Sequence, residues 1–124
     1  MPSRQNNQTT GRWGEQVAEE FLIKKGYKLV GRNIRTASGE LDLVVEKDGT
    51  LVFVEVKTRT GYGFGFPEES VTDIKKEHIL SAAQEFLENR EEVDNDWRVD
   101  VIAINVDHKS KSEPKIEWFE NAFS

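Results

Sequence analysis

At 124 residues and a formal net charge of −6, the chain is long enough for one compact domain and too short for two that fold independently. Hydrophobic residues make up 36% and include seven Phe and three Trp, enough for a packed core, while the acidic balance argues against a protein that coats nucleic acid by charge alone. With no Cys, with only His78 and His108, and with no apolar run near the length of a membrane span or a secretion signal, the sequence excludes disulfide frameworks, thiolate nucleophiles and Cys-ligated zinc, makes a His-dependent triad a poor fit, and points to a cytoplasmic protein without a membrane partner.

Residues 1–10 are polar and aperiodic and are expected to form a flexible N-terminal arm, leaving residues 11–124 as the single domain. From Thr10 the apolar positions Trp13, Val17, Ala18, Phe21 and Leu22 follow helical spacing, and Gly26 supplies a stop. A strand is expected around Leu29 and Val30, followed by a polar turn from Thr36 to Gly39. Two stronger strands, Glu40 to Glu46 and Leu51 to Arg59, flank the Asp48-Gly49 pair, a dipeptide that favours the tight turn of a β-hairpin. Residues 60–70 interleave Gly61, Gly63, Gly65 and Pro67 with Tyr62, Phe64 and Phe66, which predicts a mobile aromatic loop. A second helix is expected from Val71 to Asn89, with Ile79, Ala82, Ala83, Phe86 and Leu87 on its apolar face. After an acidic loop, Trp97 to Val106 is nearly continuous in apolar residues, as in a strand covered on both faces, and a short last strand is expected near Ile116 to Phe119.

The charged residues of the hairpin carry the chemical argument. If Asp48 and Gly49 form a two-residue turn, Asp42 lies opposite Glu55 and Glu40 opposite Lys57, all on one face. A four-residue loop keeps this register, whereas a three-residue loop with a bulge would separate the two sets. Opposed carboxylates repel, so Asp42 facing Glu55 calls for a counter-charge; Mg²⁺, a hard cation that takes one or two carboxylates and keeps sites for water and phosphate oxygens, answers it. Lys57, two residues beyond Glu55, would then act on the attacking water or on charge at phosphorus. The plainer reading is a solvated hairpin face with cross-strand salt bridges. Against it, Glu55 and Lys57 sit inside the run Val52-Phe53-Val54-Glu55-Val56-Lys57, which looks like a central strand where unused charges are expensive.

Glu40-Leu41-Asp42-Leu43 followed by Glu55-Val56-Lys57 resembles the Asp…Glu-x-Lys signature of the restriction-endonuclease-like superfamily. With Gly11, Gly14 and Glu15 on the first helix, the chain more narrowly resembles the YraN family of small bacterial proteins, over most of its length. The superfamily's usual Pro before the Asp is replaced by Leu41. The resemblance implies Asp42 and Glu55 as metal ligands, Lys57 as a catalytic lysine, and Glu15 as an accessory carboxylate like that of archaeal Holliday-junction resolvases.

Other residues have two readings each. Glu15, at the edge of the first helix's apolar face, either reaches the site or favours the helix N-terminus. Lys75 falls on the apolar stripe of the second helix and either meets a phosphate or snorkels to solvent, and Glu40 is a second accessory carboxylate. Arg98 and Asp100 are expected to pair with each other, and His78 to be solvated. The segment from Lys24 to Arg35 carries five cations and no acid; its Arg32 and Arg35, with Arg59, Tyr62 and Phe64, form the expected nucleic-acid contacts. Together these predict an α/β domain with a restriction-endonuclease-like αβββαβ core, a mixed β-sheet flanked by helices. The expected activity is Mg²⁺- or Mn²⁺-dependent hydrolysis of phosphodiester bonds, on DNA rather than RNA and selective for structure rather than sequence. A homodimer would supply a second active site. The rival is a non-catalytic or weakly catalytic nucleic-acid-binding module of a DNA-processing assembly.

Overall fold

The computed structural model describes residues 2–60, 65–68, 71–90, 96–107 and 113–123, with side chains from residue 11 onward. The elements run α1 (Pro2–Lys24), β1 (Lys28–Arg35), β2 (Glu40–Lys47), β3 (Thr50–Thr60), α2 (Asp73–Glu88), β4 (Asp96–Val106) and β5 (Lys115–Phe119). This is the expected αβββαβ order with the short last strand added. The helix begins at Pro2, ahead of the Thr10 start expected from periodicity, so its backbone runs through the segment read as an arm. It ends where expected: Gly26 has φ +95°, and the amides of Gly26 and Tyr27 return to the carbonyls of Ile23 and Leu22, which satisfies the last turn.

The five strands form one mixed sheet in the order β1-β2-β3-β4-β5. Pairing is antiparallel except between β3 and β4, where α2 provides the crossover that a parallel pair requires. The β2–β3 hairpin closes as the Asp-Gly pair predicts. Lys47 pairs with Thr50, and Asp48 (φ +51°) with Gly49 (φ +80°) make a turn with two left-handed residues, whose twist matches that of the strands.

The sheet is covered on both faces. Ala18 and Leu22 of α1 pack on Leu43, Val45, Val52, Val54, Ile102 and Ile104, while Ile79, Ala82 and Ala83 of α2 pack on Val44, Leu51, Phe53 and Val99. Each fully buried aliphatic or aromatic side chain contributes about 1.5–3 kcal/mol. Strand alternation explains the division: Val52 and Val54 face α1, Leu51 and Phe53 face α2. Double cover likewise explains the unbroken apolar run of β4, where every residue from Val99 to Asn105 is buried. One of these is a charge. Asp100 is fully buried, and Arg98 binds both its oxygens (2.9 and 3.2 Å), with further bonds from the Trp118 indole and the Asn121 amide (2.9 Å each). The expected Arg98–Asp100 pair is therefore structural, and it joins β4 to β5 and the C-terminal turn. Among the described residues no helix is long and apolar enough to cross a membrane.

Candidate active site

On β2 the alternation breaks at Asp42. Leu41 and Leu43 are two residues apart and should share a face, yet Leu41 packs with the α2 cluster and Leu43 with the α1 cluster. The residue between them is Asp42. On β1, Asn33 sits between the rungs Arg32↔Leu43 and Ile34↔Leu41 and has φ +50°, a left-handed conformation that Asn tolerates better than most residues. The β2–β3 pairing ends at Leu43↔Val54, so Asp42 and Glu55 occupy the position just past the last rung. Freed from the ladder, the Asp42 carboxylate turns toward β3, where its Oδ2 accepts the Val56 amide at 2.9 Å. That amide lacks a ladder partner on β2, and the side chain supplies one.

Around this break lies a pocket of about 380 Å³ lined by Gly11, Glu15, Asp42, Glu55, Lys57 and Thr58. The structure thus brings together four residues singled out in the sequence: Asp42, Glu55, Lys57 and Glu15. Helix α1 reaches the pocket because Gly14 lies directly on β3. A Cβ there would meet Thr58 Oγ1 at 1.8 Å, closer than a side chain can stand, and Thr58 Cβ at a tight 3.2 Å. Glu15, the next residue, is carried to the rim, which decides in favour of the pocket over the helix N-terminus.

Electrostatics mark the site. Burial, then repulsion from Glu55, pushes the Asp42 carboxyl up to about 8; the Val56 amide and Lys57 oppose the shift. Glu15 is also raised, chiefly by burial, with Glu40 and Glu55 adding to the rise and a hydrogen bond from Asn33 and the charge of Arg12 opposing it. Lys57 Nζ lies 3.2 Å from Glu55 Oε1. The expected Lys57–Glu40 opposition does not form, because the ladder that would set it stops at Leu43↔Val54; Glu40 pairs with Arg35 of β1 instead.

The carboxylates that could hold a cation are Asp42, whose Oδ1 accepts no hydrogen bond among the described residues, and Glu55. Among the described residues no group of three His, Asp or Glu side chains closes into a ready-made metal cage. Such an open, all-oxygen donor pair suits a hard cation that retains water, and does not suit zinc.

The other expected residues are elsewhere. Lys75 is exposed at the start of α2, on the face of the sheet opposite α1, and does not line the pocket; its amide bonds the Thr72 cap at 3.3 Å. Arg32 is on the surface, paired with Glu19 at 3.0 Å. Arg59 is committed internally to Asn105, the Gly65 carbonyl and Glu117, the last at 3.0 Å. Burial acts to raise the Glu117 carboxyl, but bonds from the Gly65 amide, Asn105 and Arg59 hold it below the usual range. Tyr62 and Phe64 lie outside the described residues; Phe66 packs edge-on against Phe119. Sequence reasoning missed Arg12 and Asn33. Arg12 stands three residues before Glu15, one helical turn away on the same face, a spacing that could have drawn attention to it.

The model of the family described as "Uncharacterised protein family UPF0102" matches residues 14–104, from the close-packed Gly14 through β4. Curated relatives carry the same name: a UPF0102 protein of Syntrophotalea carbinolica is 44% identical over 91% of this chain and 89% of its own length. Another from Syntrophomonas wolfei is 44% identical over 94% and 99%, and one from Chloroherpeton thalassium 39% identical over 94% and 95%. With the match spanning every residue of the pocket except Gly11, and the relatives matched along nearly their whole length, the chain belongs to the UPF0102 family, the YraN family anticipated from its motifs.

Proposed function

We propose that the protein is a Mg²⁺- or Mn²⁺-dependent DNA endonuclease that hydrolyses phosphodiester bonds at structural features such as junctions or flaps. The observation that carries this reading is the half-buried Asp42 carboxylate, which lines one pocket with Glu55 and Lys57. Two carboxylates in a poorly solvated position are costly in the absence of a cation, and a divalent ion held by both removes the repulsion. Such an ion, when bound, supplies an activated water and draws charge from a phosphate oxygen. The protein's own groups divide the remaining work. Asp42 is oriented by the Val56 amide on Oδ2, which leaves Oδ1 available to a cation. Lys57, held by Glu55, donates toward a phosphate oxygen and offsets charge that grows in the transition state. Glu15, on the rim, orients water on the side of α1. Selectivity for structure follows from size: a small acidic chain has little surface with which to read base edges.

A screen of branched, flapped, single-stranded and duplex DNA with Mn²⁺ tests the reading. The parent should cleave at least one substrate and Asp42→Asn none; cleavage by Asp42→Asn at the parental rate would refute it. The second reading is a binding module without turnover. It is favoured by one observation: Lys57 and Glu55 lie 3.2 Å apart, so two charges of the pocket offset each other within the protein. A module of that kind tolerates loss of either carboxylate, and its parent cleaves nothing while still binding DNA.

A further inference from the structure

Six arginines have described side chains. Four are ion-paired: Arg32 with Glu19, Arg59 with Glu117, Arg90 with Glu46 and Arg98 with Asp100. Arg12 and Arg35 have no carboxylate within 4.0 Å among the described residues, although Arg35 faces Glu40 across the last rung of the β1–β2 ladder. Both arginines line the same cavity, of about 490 Å³, together with Gly11, Glu15, Asn33 and Glu40. That cavity shares Gly11 and Glu15 with the carboxylate pocket, so the two are adjoining parts of one groove.

We infer that this second cavity is the seat of a DNA backbone phosphate next to the one being cleaved, clamped between Arg12 of α1 and Arg35 of β1. The inference rests on the proposed nuclease reading for its ligand, and on the pairing pattern for its residues. A guanidinium presents a planar fork of donors that matches two phosphate oxygens, and a residue already engaged by a carboxylate would have to give up that partner first. Arg12 and Arg35 carry no such cost. They also approach from different elements, and because the cavity adjoins the carboxylate pocket, the neighbouring phosphate of the strand falls over Asp42 and Glu55. Glu15 and Glu40 in the same cavity oppose an anion, but Glu15 lies on the boundary with the carboxylate pocket. Of the cations expected from sequence to touch nucleic acid, only Arg35 thus keeps that part, and Arg12 joins it.

Fluorescence anisotropy of a labelled four-way DNA junction, titrated with the full chain in EDTA over a series of salt concentrations, tests the clamp. In Arg12→Ala/Arg35→Ala the junction should bind roughly tenfold or more weakly, and the slope of log K against log salt should become shallower by about 0.9 for each phosphate no longer neutralised. Arg90→Ala removes a guanidinium from outside the groove and should keep the parental slope. Arg12→Lys/Arg35→Lys should keep the slope while losing part of the affinity, because the charge remains and the fork does not. Equal slopes in the parent and the double Ala variant overturn the clamp, as does a parent that binds no DNA. Mn²⁺-dependent cleavage is read separately. A double variant with a shallower slope, beside a parent that cleaves nothing, upholds the clamp and removes the nuclease; a cleaving parent with an unchanged slope in the variant does the reverse.

Discussion

The Asp42 carboxyl shows how one residue couples stability to metal. Its folded-state value of about 8 stands far above the ordinary 3.8, so between those values the folded chain holds a proton that the unfolded chain has released. Stability of the metal-free protein should therefore fall as pH rises from about 3.8, and the loss should be complete above about 8. Asp42→Asn, which cannot ionise, should flatten that part of the profile in urea titrations at pH 5, 7 and 9, though other groups contribute their own slopes. A divalent cation competes with the same proton, so calorimetry should find Mn²⁺ binding roughly tenfold tighter per pH unit as pH rises toward 8. Lys57 separates enzyme from scaffold. Lys57→Ala removes a part-buried partner of Glu55 and should leave the fold intact, while hydrolysis falls by two or more orders of magnitude, about 3 kcal/mol in the barrier. Unchanged cleavage in Lys57→Ala would reduce that lysine to a salt-bridge partner.

Two glycines of α1 do opposite things for the element that carries Glu15 and Arg12. Gly11 has open space where a Cβ would stand, so Gly11→Ala should stabilise the helix by about 0.5–1 kcal/mol in thermal unfolding. Gly14 has none. Gly14→Ala should cost about 1–3 kcal/mol, because the Thr58 Cβ as well as its hydroxyl stands in the way and the helix must lift from β3. Thr58→Ala removes the nearest obstacle and should recover part of that loss, a coupling measurable in a double-mutant cycle. A lifted helix also draws Glu15 back from the pocket, so Gly14→Ala should weaken any cleavage more than its effect on stability explains.

Across the whole molecule, the charge that most strongly joins elements is not in the pocket. Asp100 ties Arg98, Trp118 and the Asn121 amide together, and Arg98 in turn reaches Tyr27 (3.0 Å), at the junction of α1 and β1, and Glu120 (3.2 Å). Removing one member of a buried, fully bonded pair leaves the others stranded. Asp100→Ala should therefore cost about 3–5 kcal/mol in chemical denaturation, with loss of the near-ultraviolet signal of Trp118 as the sheet edge loosens. Smaller losses would mean that water replaces the carboxylate.

Sequence alone determined what local physics controls. Helical and alternating periodicity placed the main elements, and the Asp48-Gly49 pair set the β2–β3 register, because a two-residue turn with two left-handed residues admits one alignment of its strands. That register put Asp42 level with Glu55, and the unbroken apolar run of β4 already implied cover on both faces. Tertiary structure decided the rest. Continued strand alternation would have kept Glu40 opposite Lys57; the break at Asp42, accompanied by a left-handed Asn33 on the neighbouring strand, sent Lys57 to Glu55 and Glu40 to β1. Nothing within a few residues of Asp42 signals that break. Which cations stay free was equally hidden. Arg32 and Arg35 belong to the same basic run, yet one meets Glu19 across α1 and the other opens into the groove with Arg12. Charge order along a chain does not reveal ion pairing, because partners are chosen by how α1 settles on the sheet, through Ala18 and Leu22 in the core and the close approach of Gly14 to Thr58.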